Sequence, residues 1–377
     1  GNIVSVVDYT NTFQTNALTV TPNGSQKIGG VAASATLSTE GQSVTFVYVD
    51  DTEGWKNVQD SSSNVTGISF ISATGGTITT CGNDKIHTFT SPGTFCVSGL
   101  ATDSANDQVS YMVVAGGGGG GCSDYTTGGG GAGGFREDKS PTTPYTASPL
   151  DGAGDITVTV TAFPITVGGG GAVETNGNPS TFSTKTSAGG GFGGKNSPSN
   201  GGPGGSGGGG RAVMAPTSTT SPGGTGNTPP VSPAQGQNGG TGTTAGRING
   251  GGGGGGAGAA GNIGSAPTAG PGGNGVPSGI NPSTCVGVPG PAPGRWYAGG
   301  GGGGSNAGAD GGTNTTGGCG GEGGGGRGAA RGPGYPTSRT STAGTTNTGS
   351  GGGAAGGDSN GGSAGGSGIV IIRYKAQ

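Results

Sequence analysis

Side chains that carry out acid-base or metal chemistry are few in this sequence and stand far apart. His87 is the only histidine, which excludes histidine-based triads and sites built from several histidines. It sits within an alternating strand, a setting that favours a packed side chain over a ligand. Aspartate and glutamate are scattered, the nine-residue calcium repeat is absent, and no GxGxxG match follows a strand of a βαβ unit. We therefore expect no enzyme activity, no metal and no cofactor.

Charge and hydropathy argue against two further classes of protein. The net charge is -3 and charged residues make up only 9% of the chain, so there is no basic stripe of the kind that neutralises phosphates. No apolar run approaches the roughly eighteen residues that span a bilayer. We expect neither a nucleic-acid partner nor a transmembrane helix. The chain does not begin with Met, and we expect a processed or truncated piece of a longer protein.

The five cysteines are too few for a disulfide scaffold of this length, and their odd number leaves at least one unpaired. Cys81 and Cys96 bracket a segment that is typical of a β-hairpin turning at Ser91-Pro92-Gly93. The two thiols could face each other across such a hairpin. A disulfide between them is one interpretation and free thiols are the other, because nothing in the sequence indicates an oxidising compartment.

Strand-like apolar residues are concentrated in residues 1–115, 155–167 and 368–375. The final segment, SGIVIIRYK, matches the apolar character of VSYMVVAG, which precedes the first glycine run. A strand of this kind invites aggregation if it is left exposed. We expect it to return to the sheet that the glycine runs leave, which makes the glycine-rich segment an insertion whose two ends lie close together.

Most of the 102 glycines fall in this insertion, and three interpretations compete for it. Disorder is typical of Gly/Ser-rich sequence, whereas collagen needs glycine at every third position and TPPVSPAQGQN breaks that frame. The third is a bundle of polyglycine-II helices, with three residues per turn and no internal hydrogen bonds. Neighbouring helices then satisfy each other's backbone groups, provided that inward positions carry no side chain. The runs 116–121, 250–256 and 299–304 favour this bundle.

The connecting segments of such a bundle must alternate between two ends. Counting glycine-dense runs predicts roughly ten to twelve helices, an even number because the chain leaves and re-enters one sheet. The segments expected at the end away from the sheet are 122–127, 172–188, the core of 211–235, 305–316 and 357–360. The same alternation places four large side chains at the end next to the sheet, and we expect them to pack against it. They are Trp296, Tyr297, Tyr335 and Arg339.

Large side chains cannot enter such a bundle, so those of the insertion must lie on loops or on the rim. Aromatic and arginine anchors contribute much of the energy at binding surfaces, and rim packing is the alternative for each of them. The candidate receptor-binding residues on the distal segments are Asp124, Tyr125, Glu174, Arg211, Met214, Asn306 and Asp310.

The predicted fold class is all-β, a β-sandwich that carries an inserted polyglycine-II helix bundle. The predicted boundaries are a small β-module at 1–58, truncated at its start, a connector at 59–66, a sandwich from 67–115 with 155–167 and 368–377, and a bundle at 116–367.

Three stretches of the sequence resemble the glycine-rich domains at the tips of tailed-phage tail fibres and adhesins. They are KIHTFTSPGTFCV, VSYMVVAGGGGGG and GGSAGGSGIVIIRYK. Less specifically, NALTVTPNGSQKIGG with SVTFVYVDDTEGWK resembles a small β-module found upstream in phage tail fibres. The resemblance covers nearly the whole chain, although NPSTCVGVPGPAPGRWY departs from the commonest pattern.

The resemblance implies a homotrimeric distal tail fibre on an extracellular virion, in contact with other tail or fibre proteins. It also implies that distal loops recognise a bacterial surface receptor, either a glycan or an outer-membrane protein. Two other functions stay open at this point. An extracellular structural filament or matrix protein would assemble the bundles end to end, and an ice-binding protein would need repeated Thr or Ala on one bundle face.

Overall fold

The computed structural model describes residues 2–61, 69–123, 126–196, 199–212, 220–245, 248–265, 267–291, 294–306, 316–331, 340–357 and 361–377. It forms two compact units, Gly1–Ile68 and Ser69–Gln377. Both are built from β-strands, so the fold is all-β. In the described part of the chain no helix is long and apolar enough to cross a membrane.

The first unit is a small β-structure with its own core. Its strands are β1 (Ile3–Val7), β2 (Leu18–Val20), β3 (Ala35–Leu37), β4 (Ser43–Asp50) and β5 (Gly54–Ser61). They form a sheet of order β1-β4-β5 and a separate β2-β3 pair. Leu37, Val44 and Phe46 are buried against half-buried neighbours that include Trp55. The alternation of Val44 and Phe46 along β4 places both on the covered face.

The second unit begins with short strands that the glycine segments separate. They are β6 (Ser72–Thr74), β7 (Thr77–Cys81), β8 (Asp84–Phe89), β9 (Gly93–Gly99), β10 (Gln108–Val114), β11 (Phe135–Asp138), β12 (Ile156–Thr157), β13 (Ala162–Thr166), β14 (Ser180–Phe182) and β15 (Lys185–Ser187). Later strands are β16 (Thr220–Ser221), β17 (Gly242–Ala245), β18 (Ile248–Gly250), β19 (Val276–Ser278), β20 (Arg295–Tyr297), β21 (Ser305–Asn306), β22 (Ala330–Arg331) and β23 (Ile369–Lys375). A 3₁₀ turn, Ser104–Asp107, precedes β10.

Two sheets of this unit face each other as a sandwich. Sheet I has the order β11-β10-β23-β8-β7, and sheet II has the order β15-β14-β13-β9-β6. Between them lies a core to which sheet I contributes Tyr111 and Tyr374 and sheet II contributes Phe95 and Phe182. Burial of such aromatic side chains supplies most of the hydrophobic stabilisation of a small sandwich.

The closing strand returns to the sheet that the first glycine run leaves. In sheet I, β23 lies between β10 and β8, and Val113 pairs with Val370 in an antiparallel register. The two ends of the insertion therefore lie side by side, as the matching apolar character predicts. The second face of sheet I is also covered, since Met112 and Ile371 pack there against insertion residues such as Tyr297.

The glycine segments pair through their backbones with a period of three residues. Successive N–H groups from Gly116 to Gly118 donate to three different segments, at Asn178, Gly366 and Gly131. The next three N–H groups return to the same segments in the same order, at Thr175, Ser363 and Gly128. Three residues per turn with every hydrogen bond made to a neighbour is the arrangement expected of polyglycine-II helices.

Close approach of these backbones explains the glycine content. A Cβ atom on Gly117 would stand 2.0 Å from the carbonyl oxygen of Ser350, and one on Gly130 would stand 2.1 Å from that of Gly118. Neither backbone can give way without breaking its own hydrogen bonds. Some inward positions do admit a methyl group, because Ala132, Ala354 and Ala355 are fully buried.

The bundle holds more segments than the ten to twelve predicted from the runs. In chain order they are 116–121, 128–134, 168–173, 175–179, 188–194, 201–205, 207–211, 222–226, 237–241, 251–257, 260–264, 269–275, 298–304, 316–321, 325–329, 340–345, 350–356 and 361–367. The glycine-dense run 201–211 holds two segments, because it doubles back near Ser206, where Gly208 donates to the carbonyl of Gly202. Composition alone hides such a turn because glycine stands on both sides of it.

Two other sequence-based expectations are wrong. Cys81 and Cys96 do not face each other across a hairpin: β8 belongs to sheet I and β9 to sheet II, so the Ser91–Gly93 link crosses between the layers. Both thiols are free. Part of the predicted distal segment 172–188 also lies elsewhere, because β14 and β15 are strands of sheet II.

Candidate binding surface at the far end of the bundle

The bundle has two ends with different surroundings. We use "near end" for the loops beside sheet I and "far end" for the opposite end, at Gly121, Thr127, Gly194, Gly304 and Ala355. Hydrogen bonds join these residues laterally, for example from the Gly304 N–H to the Thr127 carbonyl at 3.0 Å and from the Thr127 N–H to the Ala355 carbonyl at 3.2 Å.

A small sheet closes much of the far end. Its order is β16-β17-β18-β21-β22, and it is assembled from the ends of bundle segments. β18 pairs with β21 in an antiparallel register, Gly250 opposite Ser305 and Asn249 opposite Asn306. β22 pairs with the other side of β21 in a parallel register. We call it the end sheet. This sheet was not predicted, although the Thr-rich stretch TGTTAGRING before a glycine run has the strand propensity of Thr and turn-forming residues at its centre.

Glu174 lies at a tight turn of the far end. Its φ of 65° is left-handed, and its Oε1 accepts a hydrogen bond of 3.2 Å from the Cys122 N–H. Its Oε2 lies 3.8 Å from Nζ of Lys195, with about a third and a quarter of the two side chains exposed. Lys195 also lies 5.1 Å from the ring centre of Phe192. The turn therefore presents a partly exposed acid, a base and an aromatic ring together.

Arg211 and Asn306 are more deeply placed than the sequence indicates. Arg211 is 7% exposed and Asn306 is 8% exposed. The Arg211 N–H donates to the Ser199 carbonyl at 2.8 Å, and Asn306 is part of β21 in the end sheet. With so little area exposed, both positions act mainly in packing the far end. The expectation that large side chains stay out of the bundle is too strict for Arg211.

The other four candidate residues, Asp124, Tyr125, Met214 and Asp310, lie outside the described residues, as do Tyr335 and Arg339. Tyr297 is fully buried at the near end against sheet I, as the alternation predicts. Trp296 is half-buried, and its Nε1 donates to the Pro291 carbonyl at 2.6 Å. The loop 227–235, expected at the distal end, lies at the near end, where the Gln235 carbonyl accepts from the Phe135 N–H at 2.8 Å.

Buried polar atoms without hydrogen-bond partners gather under the far-end loops. Of the ten such atoms in the described ranges, four lie in this region: the Thr126 hydroxyl, both polar atoms of the Asn249 side-chain amide and the Ser305 hydroxyl. All three residues are at most 1% exposed. Unsatisfied buried groups of this kind are uncommon in folded proteins and are normally met by ordered water or by a bound group.

His87, the histidine singled out in the sequence, and the buried Glu137 both have structural partners. His87 is fully buried, with Nδ1 2.7 Å from the Gly75 carbonyl and Nε2 3.0 Å from the Tyr374 hydroxyl. Burial lowers the pKa of His87, and the charge of Lys85 acts in the same direction. Glu137 accepts hydrogen bonds from the Ser148 N–H and the Ser278 hydroxyl, while burial raises its pKa. Over the described part of the chain, no cluster of three His, Cys, Asp or Glu could hold a metal ion.

No curated protein matches the chain. A family model described as a glycine-rich domain matches residues 90–375, which include β9 to β23 and the whole bundle. The chain therefore belongs to the glycine-rich domain family.

Proposed function

We propose that this chain is the receptor-binding tip of a bacteriophage tail fibre, which attaches the virion to a bacterial surface molecule through the far end of its bundle. The chain would act without catalysis and as part of a homotrimer, in contact with other fibre proteins. This proposal goes beyond the family assignment, which concerns the glycine-rich domain alone.

The observation that carries the proposal is the contrast between the bundle and its far end. Backbone hydrogen bonds fix each segment at three residues per turn, as between Gly118 and Gly131. Far-end turns such as that of Glu174 can then vary in sequence without disturbing the segments beneath them. Variable loops on a rigid scaffold are a common basis of recognition.

The far end also offers chemistry that suits a polar receptor. The Glu174 carboxylate at the far-end turn is about a third exposed and can accept hydrogen bonds. Beside Glu174, the half-buried Lys195 adds a charge and Phe192 an apolar ring. A glycan or an outer-membrane protein loop presents matching groups.

A homotrimer is supported by the apolar surface of the first unit. Ile3, Val7, Val49 and Val58 are each more than half exposed. A contiguous exposed apolar patch marks an association surface, and Ile3 and Val7 share one face of β1, the outer strand of its sheet. Light scattering of the purified chain should give a mass of three times the 34.8 kDa of one chain. A monomeric mass at micromolar concentration would contradict this part of the proposal.

The attachment itself is tested with a fluorescently labelled chain and a panel of bacterial strains. Two variants are compared: replacement of residues 213–219 by a Gly-Ser segment of equal length, and the same replacement of the near-end residues 288–291. We expect at least one strain to bind the unmodified chain, and the 213–219 replacement to reduce that binding at least tenfold while the 288–291 replacement leaves it within twofold.

Equal loss from both replacements, or from neither, would rule out far-end recognition. Absence of binding across the panel together with end-to-end filaments in electron micrographs would favour a structural filament instead. Thermal hysteresis in the same preparation would favour ice binding.

A further inference from the structure

A groove opens at the near end of the bundle, away from the candidate surface described above. Its volume is about 670 Å³, which falls in the range of small-ligand sites. The hairpin β14–β15 and the loop 227–235 form two of its walls. Polar lining residues include Asn176, Thr184, Thr186 and Thr228, and Arg136 reaches it from the edge strand of sheet I.

Arg136 is a buried cation with unused donors. It is 9% exposed, and only its Nη2 donates hydrogen bonds, to the carbonyls of Ala153 at 3.2 Å and Ser232 at 3.4 Å. Its Nε is buried without a partner. Among the described residues Arg136 forms no ion pair. Asp138, two residues along β11, accepts from the Gly154 N–H at 3.0 Å instead, and no described carboxylate contacts the guanidinium. A buried guanidinium without a contacting carboxylate is costly, so the position fits a group that meets an anion.

A second cation lies beside it. Nζ of Lys185 donates at 3.0 Å to the same Ala153 carbonyl that accepts from Arg136. Within the described part of the chain Lys185 also lacks a carboxylate partner. Two positively charged side chains therefore converge on one carbonyl oxygen, and among the described residues that line the groove Arg136 alone is charged.

The remaining walls suit a ring with several hydroxyl groups. Thr184, Thr186 and Thr228 are exposed and can each donate and accept. Pro179, Pro203 and Pro229 supply rigid apolar surface. The wall is held in advance, since the Gln235 side chain accepts from the Ala188 N–H and donates to the Pro229 carbonyl, both at 2.8 Å. Preorganised donors reduce the cost of ordering on binding.

We propose that this groove binds a saccharide unit that carries a negatively charged carboxylate or phosphate group, with Arg136 opposite the anionic oxygens. The fork geometry of guanidinium matches both kinds of anion. The threonine hydroxyls then contact the sugar hydroxyls. The site is separate from the far end, so it does not depend on the receptor-binding proposal.

Calorimetric titration of the whole chain with glucuronate, glucose 6-phosphate, glucose and inorganic phosphate tests this inference. We expect one or both anionic sugars to bind at least tenfold more tightly than glucose and than inorganic phosphate. Tighter binding of glucuronate would indicate a carboxylate ligand, and tighter binding of glucose 6-phosphate would indicate a phosphate ligand. Arg136→Gln should weaken the favoured sugar at least tenfold, and Lys85→Gln, which removes the same charge from β8, should leave it within twofold.

A further variant keeps the test valid if Arg136→Gln fails to fold. Thr184→Val with Thr186→Val alters only exposed groove positions and should weaken the same sugar several-fold. The replacement of residues 213–219 should not change its affinity. Equal binding of glucose and both anionic sugars, unchanged affinity in Arg136→Gln, or inorganic phosphate as strong as the sugars would each overturn the inference.

Discussion

Two adjacent glycines of one bundle segment provide the sharpest test of the backbone packing. A Cβ atom on Gly170 would stand 2.0 Å from the carbonyl oxygen of Gly365, whereas one on Gly169 meets nothing closer than the Asn178 side-chain amide at 3.6 Å. Ordinary contact begins near 3.4 Å, so Gly170→Ala must push segment 361–367 away by about 1.4 Å.

The cost of Gly170→Ala follows from the hydrogen bonds that this shift breaks. The N–H groups of Gly365 and Gly368 donate across the same contact to Gly171 and Gly168, both at 2.9 Å. Their loss costs about 1 kcal/mol each, and overpacking strain adds about 1–3 kcal/mol. We expect a loss of about 3–5 kcal/mol in unfolding free energy. Gly169→Ala should instead gain about 0.4–1 kcal/mol, because alanine restricts the unfolded chain.

The assay is guanidinium unfolding followed by the fluorescence of Trp296, in a Trp55→Phe background that removes the signal of the first unit. Gly170→Ala should lower the midpoint markedly, and Gly169→Ala should leave it unchanged or raise it. Equal midpoints for the two variants would refute the claim that lateral backbone contact, and not chain flexibility, requires glycine in the bundle.

Two further predictions concern buried charged or titratable groups. Burial lowers the pKa of His87 in the folded chain. As the pH drops below about 6.5, the unfolded chain therefore binds a proton that the folded chain does not, and the unfolding free energy should fall. The pH dependence of the unfolding free energy between pH 7 and pH 5 should be weaker in His87→Gln, and an unchanged dependence would contradict the lowered pKa of His87. The ion pair of Arg373 with Asp84 spans 2.7 Å with both side chains at most 4% exposed. Asp84→Ala should therefore lower the unfolding free energy by about 3–5 kcal/mol, measured by thermal or guanidinium unfolding. Glu53→Ala, in the exposed Lys56–Glu53 pair, should lower it by less than about 1 kcal/mol. Similar losses for the two variants would contradict the larger contribution of the buried pair.

The sequence predicted the insertion because its two ends carry strong local signals. The apolar alternation of β10 and β23 has no stable place except in one sheet, and the register Val113 to Val370 confirms it. The glycine runs similarly predict lateral pairing if they are ordered, since backbone groups withdrawn from water need partners on neighbouring segments.

Features that depend on contacts between distant parts of the chain could not be predicted from the sequence as well. The turn near Ser206 has the same residue types as the segments on either side, so the count of segments came out too low. The crossing from β8 to β9 resembles a hairpin locally, and only the two-layer core shows that the strands separate. Burial of Arg211 likewise depends on segments far away in sequence, and Arg136 became a candidate only once its neighbours were known.

The position of β23 has a consequence for how the protein is made. Its seven residues, Ile369–Lys375, fill the gap between β8 and β10, and those two strands have no shared edge until it arrives. During synthesis β8 and β10 therefore cannot join into one sheet until the whole insertion and β23 have left the ribosome. Closure of such a distant pairing is slow, and the waiting strand edges are exposed to aggregation. Expression is thus expected to depend strongly on chaperones and on temperature.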